Sequence, residues 1–542
     1  MNFKFSILVT LLLISVISLH AQLTLDSTFS ADGIMVDSNT TTTPHIFRYE
    51  KMLELGNGSY IASGLGSIHK ILPNGGFDAT FGSNGSATFP IPSNFVPSSV
   101  KGVAKQRDGK LVVLAEVTYL NYVNPFFAVF RYNSNGTIDN TFHGNGYLID
   151  SLGMNSAATP AALAIDTISY EGNDQIYFAG NHGYCTNSGS GGTYCPAGFF
   201  ICKLLSNGNY DPSFHQTGIW QGTDFPVGPG SYYATSFINS IHILSKSSIV
   251  LTGYSSSSIN YSYYAIKITP TGTCNLNFGN NGLWKLDDPN SSPLTFVYSK
   301  RLGSDKLLMY KNSLYTTDTV HVSYFCLDTS GQTVTSFANN GIGTYSMRIY
   351  KGPGIAFANI PTSIDLNNNI YSSFYRKTNT TSYLHILKVK ANGQQDMAFG
   401  NGGILKSEPF ANDYCLNGNM SYDMLFTKDN KLVVSIYKDL YMYSGGGLLR
   451  YKGLGAVTFL PTVDALNYTI YAAPQTLYIQ SPESGLHHVI LFASNGSVVY
   501  KGDISLLADS RAALSIPNVS AGVYIVQVVA NGQSGIQKIM IP

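Results

Sequence analysis

The chain has 542 residues and a formal net charge of +1; 12% of its residues are charged and 13% are aromatic. Nucleic-acid binding draws on a basic surface, and this balance of charge argues against such a partner. The length exceeds the ~100–200 residues of a typical domain, so at least two domains are expected. Short alternating apolar runs separated by Gly, Asn, Ser and Thr predict an all-β fold with many tight turns.

Residues 1–22 have the pattern of a signal peptide. Lys4 supplies the basic charge, an apolar run follows, and His20, Ala21 and Gln22 form a short polar end. The apolar run is shorter than the roughly 20 residues of a membrane span, and no comparable run recurs later. We therefore expect an exported chain with no membrane span in its mature part.

An internal repeat occupies most of the remaining sequence. It consists of a polar turn, Phe, three small or polar residues, and Gly. Seven copies occur, at Phe29 and Gly33, Phe81 and Gly85, Phe142 and Gly146, Phe214 and Gly218, Phe278 and Gly282, Phe337 and Gly341, and Phe399 and Gly403. Subtraction of successive Gly numbers gives intervals of 52, 61, 72, 64, 59 and 62 residues. This variable period around a fixed motif predicts loops of different length on a common frame.

Two further strand motifs accompany each copy. One follows a turn, as in DGKLVVLAE from Gly109, and the other runs into a Gly turn, as in AVFRYNSNG ending at Gly136. With a fourth, less regular strand, each unit has the size of one propeller blade. The array begins with GIMV from Gly33 and ends after the third strand of a unit, at Leu448 to Tyr451. Pairing of these two segments would close a ring of seven blades and remove both open sheet edges, whereas a linear solenoid would show atypical end repeats.

The repeat resembles the delta-60 repeat family of bacterial extracellular proteins, with SNGTIDNTFHGNG and RDGKLVVLAE as its best copy. The resemblance covers residues 23–455 and implies a seven-bladed β-propeller. Most copies carry an Asp in the turn, at Asp26, Asp78, Asp139, Asp211 and Asp396. Asn275 and Val334 replace it in two copies, which argues against a role that needs an acidic group in every blade.

Residues 456–542 form a different all-β segment, in which Asn495-Gly496 and Asn531-Gly532 predict hairpins. LFASNGSVVYKG, LSIPNVSAGVYIVQVV and the terminal QKIMIP resemble the type IX secretion sorting domain of Bacteroidetes. The resemblance implies a small Ig-like β-sandwich, contact with the secretion machinery, and an extracellular or outer-membrane surface location. An ordinary Ig-like accessory domain is the alternative, since fold alone does not fix function.

No motif for a metal, cofactor or catalytic site occurs in a supporting context, so none is predicted. We expect the turn Asp to cap its own turn rather than bind calcium, and the recurrent Phe to pack between blades. His143 and His215 are expected to be exposed, and Cys202 and Cys326 to be buried thiols. Cys185 and Cys195 flank a Gly/Ser-rich loop and form a candidate disulfide.

Aromatic residues in nonrepeating loops, which are expected at the propeller faces, suggest a binding face. They are Tyr119, Tyr122, Phe126, Tyr232, Tyr233, Tyr254, Tyr261, Tyr263 and Tyr264. These rings suit the stacking of sugars or the contact of a protein, although Tyr is also a common strand residue. The preferred hypothesis is a noncatalytic binding or adhesion propeller for a glycan or protein. The alternative is a secreted polysaccharide-degrading enzyme with its site in the central channel, which predicts clustered carboxylates or His there.

Overall fold

A computed structural model describes residues 23–37, 48–120, 125–153, 157–167, 174–183, 186–188, 192–194, 197–222, 235–245, 248–256, 261–288, 297–316, 319–348, 360–377, 382–407, 420–440, 443–452, 469–480, 484–493, 498–507, 510–530 and 533–542. The predicted signal peptide lies outside these residues. The chain divides into two compact units, Met1–Leu454 and Gly455–Pro542. Their described elements are β-strands, and within these ranges no helix has the length and hydropathy of a membrane span.

The first unit contains seven four-stranded antiparallel sheets, counted over the described residues. Sheets 1 to 3 follow one another along the chain. Sheet 1 consists of β2 (Lys51–Glu54), β3 (Tyr60–Gly64), β4 (Ser67–Ile71) and β5 (Ser86–Thr88). Sheet 2 consists of β6 (Phe95–Lys105), β7 (Leu111–Tyr119), β8 (Pro125–Tyr132) and β9 (Tyr147–Asp150). Sheet 3 consists of β10 (Ala157–Asp166), β11 (Gln175–Gly183), β14 (Ala197–Leu204) and β15 (Ile219–Gly222), with a small hairpin of β12 (Thr186–Ser188) and β13 (Gly192–Tyr194) inserted.

Sheets 4 to 6 repeat this order. Sheet 4 consists of β16 (Thr235–Ser245), β17 (Ser248–Ser256), β18 (Tyr261–Ile268) and β19 (Leu283–Asp288). Sheet 5 consists of β20 (Val297–Leu302), β21 (Lys306–Thr316), β22 (Thr319–Asp328) and β23 (Ile342–Arg348). Sheet 6 consists of β24 (Thr362–Ile364), β25 (Ile370–Lys377), β26 (Ser382–Val389) and β27 (Ile404–Ser407).

Sheet 7 combines the two ends of the array. β28 (Met420–Phe426), β29 (Leu432–Leu440) and β30 (Tyr443–Tyr451) are followed in the sheet by β1 (Ile34–Val36) from the beginning of the chain. Ile34 is opposite Leu449 and Val36 is opposite Gly447. The pairing predicted from the phase of the repeat is therefore present, and the open edge of β30 is covered.

The first strands of the sheets make a closed ring of contacts. β2 contacts β6, and the series continues through β10, β16, β20, β24 and β28 back to β2. The second strands lie behind them and are buried on both faces. In β7, Val113 packs with Ile61 of sheet 1, whereas Leu114 packs with Phe178 of sheet 3. This explains the continuous apolar run of the second motif, since each fully buried aliphatic side chain contributes about 1.5–3 kcal/mol.

The second unit has two sheets over one core. A three-stranded sheet contains β31 (Thr469–Ala473), β32 (Thr476–Gln480) and β35 (Arg511–Ser515). A four-stranded sheet contains β34 (Val498–Leu506), β33 (Gly485–Ala493), β36 (Gly522–Ala530) and β37 (Gln533–Ile541), in that order. Leu477 and Ile479 of the first sheet share a buried cluster with Val489, Leu491 and Val526 of the second. The strands flanking both predicted Asn-Gly turns pair antiparallel.

Candidate functional site

The repeat turns are held by their own acidic residue. In the third copy, Asp139 Oδ1 accepts hydrogen bonds from Thr141 N at 3.1 Å and Thr141 Oγ1 at 2.6 Å. Equivalent caps join Asp26 to Thr28, Asp78 to Thr80, Asp211 to Ser213 and Asn275 to Asn277. The predicted capping role is confirmed in these copies. The residue two positions after Asp396 is Ala398, which has no hydroxyl to donate, and the Asp396 carboxylate lies near Lys388 and Lys390.

The repeat glycines close the turns in which the repeat Phe residues lie. In every copy the Gly N–H donates to the carbonyl oxygen of the Phe four residues earlier, at 2.7–2.9 Å. Each of these glycines has a φ between +82° and +90°, a backbone region that strains residues with a side chain. They are Gly33, Gly85, Gly146, Gly218, Gly282, Gly341 and Gly403. The constant Phe-to-Gly spacing therefore follows from one backbone turn, and these positions are structural.

Each turn Asp also faces a basic residue on the third strand of its sheet, which the sequence analysis missed. Arg131 Nε lies 2.7 Å from Asp139 Oδ2. The other pairs are Lys70–Asp78 at 2.8 Å, Lys203–Asp211 at 2.7 Å, Lys388–Asp396 at 2.8 Å and Arg450–Asp26 at 2.9 Å. Burial by itself raises the pKa of Asp139, but the hydrogen bonds from Thr141 and the charge of Arg131 outweigh it and bring the pKa to about 2.

The two copies that lack the Asp clarify the role of this pair. Where Val334 replaces the acid, Cys326 replaces the base, and Val334 N donates to Cys326 O at 2.9 Å. Where Asn275 replaces the acid, Lys267 remains, and Asn275 N donates to Lys267 O at 2.8 Å. The backbone contact thus persists in both copies without the ion pair. The recurring Lys or Arg of the third motif was the available sequence signal, and the pair serves the fold.

The repeat Phe and the residue after it join neighbouring sheets. Phe142 is fully buried, and His143 N donates to Asn207 O in sheet 3 at 2.6 Å. A Cβ atom on Gly208, at φ +86°, would lie 2.7 Å from Phe142 Cδ2. The same intersheet hydrogen bond recurs at Ser30–Asn74, Gly82–Asn135, His215–Thr271, Gly279–Ser330 and Ala338–Asn392. All seven repeat Phe side chains are buried, which fits the predicted packing between blades.

The first strands of the ring carry several charged side chains. We call Lys51 on β2, Lys101 on β6, Lys300 on β20 and Asp423 on β28 the axial cluster. Burial lowers the pKa of Lys51, and the positive charges of Lys300 and Lys101 reinforce this effect, whereas the carboxylates of Asp423 and Glu50 oppose it. Lys51 and Lys300 lie on the first strands of sheets 1 and 5, which are not neighbours in the ring.

The carboxylates near the axis are engaged by backbone donors. Asp423 Oδ2 accepts a hydrogen bond from Met52 N of the next sheet at 2.8 Å. Glu50, which precedes β2, accepts a hydrogen bond from Val100 N of β6 and pairs with Arg48 Nε at 2.6 Å. These bonds fasten sheet 7 to sheet 1 and sheet 1 to sheet 2. The two carboxylates therefore have structural partners.

His242 on β16 places an imidazole on the same set of first strands. Its Nε2 lies 2.8 Å from Ser299 Oγ of sheet 5. Burial lowers the pKa of His242 to about 4, and the charge of Lys300 reinforces the effect. The imidazole is neutral at neutral pH and joins two sheets through the Ser299 hydroxyl.

Two aromatic clusters lie at the sheet ends remote from the repeat turns. In sheet 2, the Phe95 ring centroid lies 5.2 Å from that of Tyr119 and 5.3 Å from that of Phe126, both edge to face. In sheet 4, Tyr254 stacks on Phe237 at 4.9 Å and lies 6.5 Å from Tyr261. We call these six partly exposed rings the aromatic face. Both clusters flank the connection between the second and third strands of their sheets.

Several predicted residues fall elsewhere. The prediction that the aromatic residues lie in loops is wrong for all those that the structure describes. Tyr119 and Phe126 lie on β7 and β8, and Tyr254, Tyr261, Tyr263 and Tyr264 lie on β17 and β18. Tyr263 and Tyr264 are fully buried. The strands simply extend further than their apolar pattern indicated. Tyr122, Tyr232, Tyr233, Cys185 and Cys195 lie outside the described residues. His143 and His215 are exposed, and Cys202 and Cys326 are buried free thiols, as predicted.

Family models match both units. Residues 106–142 match a domain of unknown function (DUF5122) beta-propeller, and residues 470–542 match a secretion system C-terminal sorting domain. The chain therefore contains a β-propeller repeat and a type IX secretion sorting domain. The first match covers most of the copy that the sequence singled out, from Gln106 to Phe142. The sorting domain directs this propeller protein to an extracellular or cell-surface location.

Solved structures that resemble the propeller protein have low sequence identity to it. The NanB sialidase from Streptococcus pneumoniae is 11% identical, with 78% of this chain and 70% of that chain covered and a TM-score of 0.33. The plexin A4 extracellular region is 9% identical, with 94% and 67% covered and a TM-score of 0.41. A search of curated proteins finds no match. Such distant likeness assigns no activity.

Proposed function

We propose that the protein is a noncatalytic binding or adhesion module for a glycan or protein, exported through the type IX route and displayed outside the cell. In this proposal residues 1–22 are a signal peptide, residues 23–455 a complete seven-bladed propeller of delta-60-like repeats, and residues 456–542 an Ig-like sorting domain that contacts the secretion machinery. Seven described sheets and the closed ring of first strands support the blade number.

The aromatic face is the observation that carries the binding function. Two sheets separated by one other present three partly exposed rings each at the same end. The opposite end is occupied by repeat turns whose polar groups are engaged in caps and ion pairs. Aromatic rings offer stacking surfaces at low conformational cost, and loops at the ends of a rigid scaffold are common binding positions. These features favour a glycan over other ligands.

A glycan array probed with the secreted chain tests this function. We expect Tyr119→Ala and Tyr254→Ala each to weaken binding by about 0.5–1.5 kcal/mol, which is about two- to twelvefold. Tyr471→Ala is the matched control, because Tyr471 is 54% exposed and belongs to the second unit. Equal binding by all three variants, or an array with no bound glycan, would refute glycan recognition by this face.

The alternative is a secreted polysaccharide-degrading enzyme with its site on the propeller axis. The polar axial cluster favours it, because the cluster contains ionisable groups in the ring interior. Asp423 and Glu50 accept hydrogen bonds from the backbone of neighbouring sheets, and this argues against a role for them in general acid–base catalysis. An assay for new reducing ends with a panel of polysaccharides separates the two functions, since the binding module releases none.

A further inference from the structure

A cavity of about 580 Å³ lies between sheets 2 and 3, at the end of the propeller that carries the repeat turns. Its walls come from the turn between β6 and β7, from Arg131 and Thr141 of the same sheet, and from Asp174 and the Ser206–Asn207 turn of sheet 3. We call it the turn cavity. Its volume is within the roughly 300–1,000 Å³ of small-molecule sites.

Ion pairs and hydrogen bonds hold the walls of the turn cavity in place. Arg107 N and Nε each lie 2.6 Å from the carboxylate of Asp174 in the next sheet. Arg131 Nε lies 2.7 Å from Asp139 Oδ2, and its Nη1 donates to Ser206 O of sheet 3. Both arginines of sheet 2 therefore bond to sheet 3, and the cavity has fixed walls.

The charges around the turn cavity are balanced. Three cations and three carboxylates are paired there, namely Arg107 with Asp174, Arg131 with Asp139, and Lys110 with Asp108 and Asp139. A charged ligand finds no surplus of opposite charge in such a set. A carboxylate accepts up to about four hydrogen bonds and a guanidinium donates about five, so ion-paired groups can still bond to a neutral ligand.

Gln106 adds a buried acceptor to the cavity wall. The residue is 5% exposed, and its Oε1 has no hydrogen-bond partner in the described part of the chain. At the same position in sheets 6 and 7, the side-chain oxygens of Asp365 and Thr427 accept a hydrogen bond from a turn N–H at 2.8 Å. In sheet 2, Asp108 accepts this bond from Lys110 N at 3.0 Å. The turn therefore does not need Gln106, and a rotation about its soft χ3 torsion can present the oxygen to a ligand hydroxyl.

We propose that the turn cavity binds one residue of a neutral saccharide. The hydroxyl groups of a sugar donate and accept hydrogen bonds, and the cavity wall offers both kinds of group at balanced charge. Gln106 accepts from one hydroxyl, and the paired Arg107 and Asp174 bond to others. The described lining residues include no aromatic ring, so recognition depends on hydrogen bonds and not on stacking. This site lies at the end opposite the aromatic face and holds whether or not that face binds a glycan.

Titrations of the secreted chain followed by saturation-transfer NMR test the ligand class. The neutral probes are the methyl glycosides of glucose, galactose and mannose. Glucuronate and glucosamine are the charged probes, and cyclohexylmethanol is the apolar one. We expect at least one neutral glycoside to bind, and the charged and apolar probes to bind at least about fivefold more weakly. Binding of no neutral glycoside, or tightest binding of a charged probe, would overturn the proposal.

Gln106→Leu tests the site, because it removes the amide and keeps the approximate size of the side chain. It should weaken binding of the neutral glycoside about two- to twelvefold, the effect of one hydrogen bond. It should also keep or raise the Tm, since the buried oxygen without a partner is gone. A lowered Tm together with unchanged glycoside binding would show that Gln106 has a structural role instead.

Gln394→Leu is the matched control. Gln394 lines another cavity, of about 590 Å³, between sheets 5 and 6. This variant should bind the glycoside within about twofold of the unchanged chain, because distant sites contribute independently. A loss equal to that of Gln106→Leu would overturn the assignment to the turn cavity.

Tyr119→Ala separates the turn cavity from the aromatic face. It should leave glycoside binding within about twofold of the unchanged chain. Loss of binding in Tyr119→Ala with no loss in Gln106→Leu would place the sugar on the aromatic face. That result would overturn the site proposed at the turn cavity and would support the proposed function.

Discussion

The buried ion pair between Arg450 and Asp26 joins the two ends of the propeller, and its removal should loosen the ring closure selectively. Both side chains are 2% exposed, and Arg450 Nε lies 2.9 Å from Asp26 Oδ2. The guanidinium also donates to Pro73 O at 2.6 Å and to Thr28 Oγ1 at 3.0 Å. Arg450→Met removes all these bonds while retaining an apolar side chain of comparable length.

The expected loss of stability depends on the Asp26 carboxylate, which stays buried after Arg450 is replaced. Burial raises the pKa of Asp26, but the Thr28 hydrogen bonds and the charge of Arg450 bring it to about 2. Relative to an ordinary value of 3.8, this corresponds to about 2 kcal/mol of stabilisation at neutral pH, to which the Thr28 hydrogen bonds and the Arg450 charge both contribute. Breaking a buried pair costs about 3–5 kcal/mol, and Lys431 at 3.5 Å remains as a partial counter-ion. We therefore expect a loss of about 2–3 kcal/mol.

Thermal unfolding of the secreted chain measures this loss. A unit of about 430 residues has an unfolding entropy of about 0.9 kcal/mol/K at ~2.1 cal/mol/K per residue, so the Tm of the propeller should fall by about 2–3 °C. Arg131→Met is the matched control. Arg131 has the same position in its repeat, and its Asp139 also keeps a second cation, Lys110 at 3.2 Å.

Hydrogen exchange separates ring closure from simple destabilisation. Both variants should lose a similar amount of stability, but only Arg450→Met should accelerate exchange in residues 23–36, because of the two arginine side chains only that of Arg450 contacts this segment. If the segment exchanges equally slowly in the two variants, the buried pair does not secure the closure and the reasoning is wrong.

Three other predictions concern the repeat frame and its thiols. The lowered pKa values of Asp26 and Asp139, both about 2, mean that their stabilisation is complete above about pH 3.8 and lost as the pH falls toward 2; urea titrations at pH 5 and pH 2.5 should show this, and Asp139→Asn should reduce the difference. Gly208→Ala should destabilise the propeller by about 1–3 kcal/mol more than Gly144→Ala, since both glycines have positive φ but only Gly208 would clash; equal Tm values would contradict the predicted clash. Burial raises the pKa of the Cys202 thiol well above its usual value, so iodoacetamide should label Cys202 only after denaturation, and rapid labelling of the native chain would disprove its burial.

The repeat frame was predictable from the sequence because every repeat needs the same buried Phe and the same positive-φ Gly. Seven spaced Phe and Gly residues marked the intersheet contacts and the turns that carry them, and the phase of the motifs indicated that Ile34–Val36 belongs beside β30. The repeat also contained a sequence pattern that indicates the basic member of the ion pair. In five copies a Lys or Arg stands five residues before the turn Gly of the third motif, but its partner Asp becomes evident only when the third strand and the following turn are folded together.

The candidate sites were less accessible from sequence. The first strands are the least regular part of each repeat, because they line the axis and each carries different side chains. Lys51 and Lys300 are distant in sequence and lie on sheets that are not neighbours, so no local pattern relates them. The aromatic residues were predicted to lie in loops because the apolar alternation in the sequence ends before β17 and β18 end. Tyr263 is in fact a buried core residue.

The outer strand of sheet 7 is made from residues 34–36, whereas its three partners come from residues 420–451. During synthesis, β1 therefore has no partner strand until nearly the whole repeat array has been made. Every truncated product that ends before β30 retains an unpaired sheet edge, which is a hazard for aggregation. Because the export signal follows β30 along the chain, a polypeptide that has acquired its sorting domain already contains every strand needed to complete the ring.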